Sequence, residues 1–551
     1  MTRYASQVKG DQVGLSEDID SSHSRLTRSA GIVSIAVMIS RVLGLIRDMV
    51  LVHLLEARIS LDAFDAAFRI PNFLRDLFGE AILSKAFVAT FADVEARSGE
   101  KAAWRLANIV FNTLAITLSI ITLICIILAP FIISIIVMGK GFDTPLPPES
   151  SFGFADKREL TVYLTRIMFP YLLLVSLAAI AMGLLNSKGR FGIPASASSF
   201  FNLGSVIVGV WGYYIAPKLG QHPATGMAVG VLVGGALQFI VQVPSMRRVG
   251  FRYKLILDFT DPGLKQVIKL MAPAVLGSAA MHVNMILNSI FASQGEGWLA
   301  WNQRAFRIMY FPIGVLGVAI STASLPVLSR FAAQKSMDEY RKILSYALKL
   351  VFILSLPASA GLIVLNKPIV SLLFEHGKFG SYDTTQVAGQ VFCYAFGLCG
   401  YSGVKIATDG FYALKDIRTP VIVSLFTISL NILLNYIFIF QLGVDHRSLA
   451  ISTACSITTN FLLVLALLWR RVGGFQRWDL ASVFVKSVIA AASMGAITAL
   501  TYGWLLPTIG SKLSLFAAIV ISLPVLYGLA RALKLREMDQ IVGAIVRKMG
   551  K

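Results

Sequence analysis

Four arginines near the start of the chain carry the clearest chemical signal, because they lie within long apolar stretches. Arg41 and Arg47 belong to the first stretch, and Arg69 and Arg75 belong to the second. A guanidinium group presents a planar fork of donors that matches phosphate oxygens. The pattern predicts a polar cavity that binds an anionic, phosphorylated substrate.

Acidic and hydroxyl side chains accompany these arginines. Asp62 and Glu80 are predicted to face the same cavity, and Ser40 precedes Arg41 directly. The alternative interpretation is that such charges form ion pairs that hold neighbouring helices together. It applies best to Asp48 and Asp65, the second of which stands four residues before Arg69 and therefore shares its helix face.

Motifs for other chemistries are missing from the sequence. No P-loop, HExxH motif, nucleophile elbow or dinucleotide-binding glycine motif occurs in a suitable context. The four cysteines lie in apolar runs without metal-ligand spacing. We therefore predict no metal, no cofactor and no catalytic residues. Asn431 and Asn435 are four residues apart and could bind a cation, although hydrogen bonding between helices is the interpretation that we favour.

The composition indicates a membrane protein. Of the 551 residues, 56% are hydrophobic and 15% are charged, whereas soluble domains have about 25% charged residues. A bilayer core of roughly 30 Å requires about 20 apolar residues per helix. Fourteen apolar segments fit this requirement: 30–55, 61–92, 104–137, 160–186, 193–216, 223–245, 264–292, 299–329, 343–365, 384–413, 419–441, 446–470, 482–506 and 513–534. The prediction is an all-α polytopic membrane protein with about 14 transmembrane helices.

The net charge of +20 would suggest nucleic acid as the partner of a soluble protein. With the N-terminus placed in the cytoplasm, however, most Lys and Arg residues outside the segments fall on cytoplasmic loops. The charge therefore predicts both termini inside and no nucleic-acid partner. Arginines within the segments remain to be explained, since a charge at mid-bilayer costs roughly 2.5–3.5 kcal/mol.

An internal repeat divides the chain. Residues 67–70 and residues 305–308 both read AFRI, and a glycine follows at the same distance, Gly79 and Gly317. We predict two six-helix pseudo-repeat lobes with the substrate site between them, as in transporters built from parallel repeats. The predicted divisions are a polar cytoplasmic extension at 1–29, an N-lobe at 30–250, a C-lobe at 260–471, two further helices at 482–535 and a basic cytoplasmic tail at 536–551.

Several motifs in the sequence are similar to one known family. The segments SRVLGLIRD (40–48), DAF (62–64) and FRIPNFLRDLFGEA (68–81) resemble the MurJ/MviN lipid II flippase family, and so do FPY (169–171), APA (272–274), FPIGVLG (311–317) and LP (325–326). The resemblance covers roughly residues 30–535. It implies membership of the multidrug/oligosaccharidyl-lipid/polysaccharide exporter superfamily.

The resemblance also implies a function. Family members carry lipid II, the undecaprenyl-pyrophosphate-linked disaccharide-pentapeptide, outward across the bacterial inner membrane for peptidoglycan synthesis and hence for cell wall biogenesis and cell shape. The two last helices would form a groove for the lipid tail. The implied substrate-binding residues are Ser40, Arg41, Arg47, Asp62, Arg69, Arg75, Glu80 and Arg307.

This sequence departs from the family pattern at two positions. Asp76 stands where a second basic residue can follow Arg75, and Phe306 stands where an acid can precede Arg307. The charge balance around Arg307 should therefore differ from that of the family.

We expect transport by alternating access, driven by the membrane potential or by a coupling ion, with membrane lipids as further partners. One rival is a transporter of the same superfamily that exports another lipid-linked oligosaccharide or drugs. A rival of another class is a polytopic glycosyltransferase. That enzyme would need an acid in an outer loop, for which residues 138–159 offer Asp143, Glu149 and Asp156.

Overall fold

The computed structural model describes residues 33, 35–78, 82–475 and 477–549. Regular structure in this part of the chain is helical apart from one isolated antiparallel bridge, between Pro145 and Asp156. The helices are α1 (35–54), α2 (Asp62–Phe78), α3 (Ile82–Ser98), α4 (Glu100–Ile127), α5 (Ala129–Ile136), α6 (Lys157–Met168), α7 (Tyr171–Ser187), α8 (Gly192–Ile215), α9 (Ala224–Ile240), α10 (Val243–Arg248), α11 (Pro262–Ala292), α12 (Trp298–Pro312), α13 (Val318–Ala333), α14 (Met337–Phe374), α15 (Ser381–Ala395), α16 (Leu398–Ala413), α17 (Arg418–Tyr436), α18 (Arg447–Arg471), α19 (Arg477–Ala532) and α20 (Arg536–Met549). The predicted all-α fold is confirmed.

Nine helical stretches within the described residues are long and apolar enough to cross a membrane. A tenth arises if α15 and α16, which meet at 44°, count as one span. Each of the fourteen predicted segments overlaps helix in this part of the chain. The number fourteen itself stays a prediction, because several helices are merged, bent or shorter than a full span.

The longest helix, α19, contains a break at Gly510. This residue has φ 75° and ψ 166°, a conformation that is essentially restricted to glycine. The break falls between the segments predicted at 482–506 and 513–534. Both parts expose large apolar side chains, among them Leu500, Trp504 and Val520. Such exposure is expected of surfaces that face lipid.

The chain packs as two compact units. Among the described residues, the first unit contains those up to Leu55 and those within Ile59–Met138 and Phe142–Ile286. The second contains those from Leu287 onward with the short segments Glu56–Arg58 and Gly139–Gly141. The division of lobes predicted from the sequence repeat stays a prediction.

Glycine lets two helices of the first unit approach closely. A Cβ atom at Gly226 of α9 would lie only 2.0 Å from the carbonyl carbon of Gly212 on α8. Small residues drive helix association in membranes, because van der Waals packing replaces the hydrophobic effect there. The core of this unit lies among α3, α4 and α7, with Phe87, Phe91 and Leu184 fully enclosed.

The segment that follows α10 is fastened to α4 by two asparagines. Asn108 Nδ2 donates to the backbone carbonyl of Arg252 at 3.2 Å, and its Oδ1 accepts from the backbone N–H of Lys254 at 2.6 Å. Asn112 Nδ2 donates to the carbonyls of Lys254 and Ile256 at 2.8 and 3.0 Å. These side-chain amides supply hydrogen-bond partners to backbone groups of a segment that has no regular secondary structure.

An ion pair holds the end of the same segment. Arg105 Nη2 lies 3.0 Å from Asp258 Oδ2. Hydrogen bonds from Thr260 and, to a smaller extent, from Arg105 lower the pKa of Asp258 below its ordinary value. The carboxylate therefore stays charged at neutral and mildly acidic pH.

Amides and hydroxyls connect helices in the second unit. Asn435 Nδ2 donates to Asn288 Oδ1 at 2.9 Å and to Asn431 Oδ1 at 3.3 Å, and Ser452 donates to Asn435. Asn431 and Asn435 are both buried. These contacts join α11, α17 and α18 and agree with hydrogen bonding between helices as the role of the two asparagines.

A lysine joins three helices of the second unit. Lys349 on α14 forms ion pairs with Asp479 at the start of α19 and, at 3.3 Å, with Glu537 on α20. Leu535, beside α20, and Met538 on α20 are buried in a cluster with Ile353 of α14. The predicted basic tail thus begins with a helix that packs on the second unit.

Candidate substrate-binding residues

Helix α1 carries three of the predicted site residues. Arg41 and Arg47 lie about 9 and 18 Å along the helix from residue 35, given a rise of about 1.5 Å per residue. Arg41 is exposed and forms no ion pair with any residue that the structure describes. Ser40 is half-buried, and its backbone carbonyl accepts a hydrogen bond from Asn202 of α8 at 3.1 Å.

Arg47 is held by two neighbours and retains a spare donor. Its Nη2 lies 3.2 Å from Asp48 Oδ1, and its guanidinium carbon lies 5.3 Å from the centre of the Phe201 ring. Arg47 Nε is buried and has no hydrogen-bond partner within the described part of the chain. Burial of an unused donor is costly. The stacked, partly paired guanidinium is thus oriented and still able to bind an anion.

Helix α2 carries the second pair of arginines. Arg69 and Arg75 are both half-buried. Arg75 contacts its neighbour Asp76 through Nε at 3.1 Å and Nη2 at 2.7 Å. Asp76, the first departure from the family pattern, therefore neutralises part of the charge of Arg75.

Asp62 has a partner that the sequence analysis did not anticipate. Its Oδ2 lies 2.8 Å from Lys157 Nζ, and both side chains are almost completely buried, with exposed fractions of 0% and 1%. Lys157 falls within residues 138–159, the predicted outer loop. No local pattern could have revealed the pair, because 95 residues separate its members.

Arg307 belongs to the second unit, where it is exposed on α12. The neighbouring Phe306 is half-buried in an aromatic cluster, with ring centres 5.7 Å from Tyr394 and 6.1 Å from Tyr401. The position where an acid can occur in the family is thus used for apolar packing. Glu80 lies outside the described residues.

One buried arginine lies outside the predicted set of binding residues. Arg304 stands three residues before Arg307 on α12 and is only 5% exposed. Its Nη1 lies 3.4 Å from the carbonyl of Ala300. The repeat AFRI drew attention to Arg307 because it aligns with Arg69, whereas nothing of this kind marked Arg304.

Comparison with known proteins identifies the family of this chain. The family model described as lipid II flippase MurJ matches residues 51–520. The chain belongs to the MurJ lipid II flippase family. A relative from Vibrio cholerae serotype O1, named probable lipid II flippase MurJ, is 33% identical over 498 residues, which cover 89% of this chain and 91% of the relative.

Two solved structures share the fold of this chain. A structure of lipid II flippase MurJ in an inward closed conformation matches with a TM-score of 0.72 and 23% identity, covering 92% of this chain and 99% of that one. An inward-facing multidrug resistance MATE family transporter of the MOP superfamily matches with a TM-score of 0.65 and 17% identity, covering 81% and 98%. The chain is a multi-pass membrane protein with the fold of this transporter superfamily, as predicted.

Proposed function

We propose that this chain is a lipid II flippase, which moves undecaprenyl-pyrophosphate-linked disaccharide-pentapeptide from the cytoplasmic to the periplasmic leaflet by alternating access. The observation that carries the proposal is family membership over residues 51–520. The arginines within apolar helices supply the chemistry that such a substrate needs. The protein would act as a transporter in the bacterial inner membrane, with both termini in the cytoplasm.

The pyrophosphate is bound by guanidinium groups in this proposal. Arg41 and Arg47 contribute from α1, and Arg69 and Arg75 contribute from α2. Arg41 has no acidic partner among the described residues, and Arg47 keeps a buried Nε without an acceptor. Both features favour an added anion, because phosphate oxygens satisfy such donors. Arg307 is the binding residue proposed for the second unit.

Ser40 and Glu80 complete the polar set, with the hydroxyl and the carboxylate available to the sugars or to the peptide of the headgroup. Asp62, which the family resemblance adds to this set, is kept apart from the substrate in this proposal, because its carboxylate is enclosed with Lys157. The charge balance of the site differs from the family pattern where Asp76 and Phe306 stand.

The lipid tail would remain in the bilayer along α19. The exposed side chains of Leu500 and Trp504 in its first part and of Val520 and Leu523 in its second part support this assignment. A polyprenyl chain needs only an apolar surface, since it gains little from leaving lipid for protein. Energy would come from the membrane potential or from a coupling ion.

The test is transport by purified protein in vesicles. In vesicles that contain the protein, the label on fluorescent lipid II in the protected leaflet should become accessible from outside. This should happen faster than in vesicles that contain the labelled lipid II without the protein. An unchanged rate, together with translocation of a different lipid-linked oligosaccharide, would favour a sibling exporter. Formation of glycan chains from lipid II would favour the glycosyltransferase instead.

A further inference from the structure

Opposite charges on two helices of the first unit meet in the interior. Asp62 is the first residue of α2, directly after the π-helical turn Ala57–Leu61, and Lys157 is the first residue of α6. Lys157 Nζ lies 2.8 Å from Asp62 Oδ2. The carboxylate is 0% exposed and the ammonium is 1% exposed. Neither charge can therefore be compensated by water.

The surroundings of Lys157 fix it in place. Its Nζ lies 4.3 Å from the centre of the Phe142 ring, and its backbone N–H donates to the carbonyl of Thr144 at 3.2 Å. Asp156 caps α6 by accepting from the backbone N–H of Glu159 at 2.7 Å. The ammonium therefore lies in a segment that these contacts hold in place, and the ion pair attaches Asp62 to the same segment.

The helix dipole explains why Lys157 needs a counter-charge. A lysine at the first position of a helix is destabilised by the dipole. Lys157 is retained at this unfavourable position with Asp62 opposite. Removal of either partner would take this counter-charge from a buried charge, while replacement of both by apolar groups would remove both charges.

The proposed substrate-binding arginines lie further along the helix that Asp62 begins. Arg69 and Arg75 follow by two and almost four turns, or about 10 and 20 Å. A change in where α2 starts, or in its rotation, would therefore displace both guanidinium groups. Displacement by about 1 Å is enough to weaken a preorganised site.

We propose that Lys157 is a positioning residue for substrate binding, which acts through a buried ion pair with Asp62 that sets the placement of α2. This inference rests on the proposed function, since it concerns the arginines that bind the pyrophosphate. Asp62 is then an anchor and does not touch the substrate.

The experiment compares three variants as purified protein, with lipid II affinity measured per folded molecule by native mass spectrometry. Lys157→Met and Asp62→Leu should each weaken binding by about tenfold or more, because a buried charge loses its partner and α2 shifts. The double variant Asp62→Leu/Lys157→Met should bind within about threefold of the parent, since no lone charge remains.

Arg158→Met is the matched control. It removes the next cation along the chain, which pairs with Asp143 at 2.6 Å on a partly exposed surface. The control should bind lipid II like the parent. A merely structural role would reduce the yield of folded protein and leave the affinity of each folded molecule unchanged.

Two results would overturn the inference. If the double variant binds as weakly as Asp62→Leu, Asp62 itself contacts the substrate. If Lys157→Met binds like the parent, the pair does not position α2. Should the single variants fail to fold, the double variant decides alone: parental affinity supports the anchor and lost affinity refutes it. Failure of the proposed function would be seen separately, because the parent would then not bind lipid II.

Discussion

Asn112 Nδ2 donates to two backbone carbonyls at once, those of Lys254 at 2.8 Å and Ile256 at 3.0 Å. One side chain of α4 therefore holds a segment that lies 142 residues further along the chain. The asparagine thus supplies this irregular segment with the hydrogen-bond donors that a neighbouring strand would supply in a sheet.

We predict that Asn112→Leu lowers the free energy of unfolding by about 1–3 kcal/mol, because two carbonyls lose their donor. Thermal unfolding of the purified protein in detergent would measure the change. Thr113→Val is the matched control on the next position of α4, since Thr113 Oγ1 has no hydrogen-bond partner among the described residues. Equal melting temperatures for the two variants would contradict the prediction.

Gly226→Ala should prevent α8 and α9 from packing. The added Cβ would lie 2.0 Å from a backbone carbon of Gly212, which cannot move aside as a flexible side chain can. Overpacking of this kind costs about 1–3 kcal/mol or more. The yield of monodisperse protein after extraction should fall sharply. Gly361→Ala, where a Cβ meets nothing within 4 Å, should leave the yield unchanged.

Gly510→Ala tests the break in α19. Alanine at φ 75° and ψ 166° would be strained by about 1–3 kcal/mol. Gly503→Ala in the same helix is the comparison, because a Cβ there has open space and no positive φ. We expect Gly510→Ala to melt at a lower temperature and Gly503→Ala to melt at the same or a higher one. The reverse order would show that the break does not depend on glycine.

Arg47→Lys should fail to support growth of a strain depleted of its own lipid II flippase, and Arg47→Ala should fail as well. Lysine keeps the charge but loses the planar fork that pairs with Asp48 and stacks on Phe201. Membrane insertion, checked by immunoblot, should be normal. Arg97→Lys should complement fully, since the pair that Arg97 forms with Asp93 is exposed to solvent. Growth with Arg41→Ala, Arg47→Ala and Arg307→Ala would refute the cationic site.

The sequence was sufficient to predict the helices and the all-α fold class. Long apolar runs can satisfy the hydrogen bonds of their backbone groups in lipid only as helices or closed barrels. The sequence could not give contacts between distant residues. Asp62 is predicted to be a cavity acid, yet its partner Lys157 falls within the predicted outer loop at 138–159. The partners of Asn108 and Asn112 were equally invisible, since they are backbone atoms.

A local sequence pattern also does not give the contacts that a side chain makes with its neighbours. Asp76 was noted as an exception to a family pattern, and only the structure adds that it binds Arg75. Phe306 likewise replaces an acid, and its ring contacts with Tyr394 and Tyr401 explain how the position is filled. Both cases depend on side-chain geometry.

The three-way contact at Lys349 has a consequence for the order of folding. This lysine on α14 pairs with Asp479 of α19 and with Glu537 of α20, both of which are synthesised after it. Until α20 has been made, the side chain of Ile353 lacks the cover that Met538 provides, and Lys349 lacks one of its two carboxylates. Closure of the second unit around Lys349 is therefore a late step, which follows the synthesis of α19.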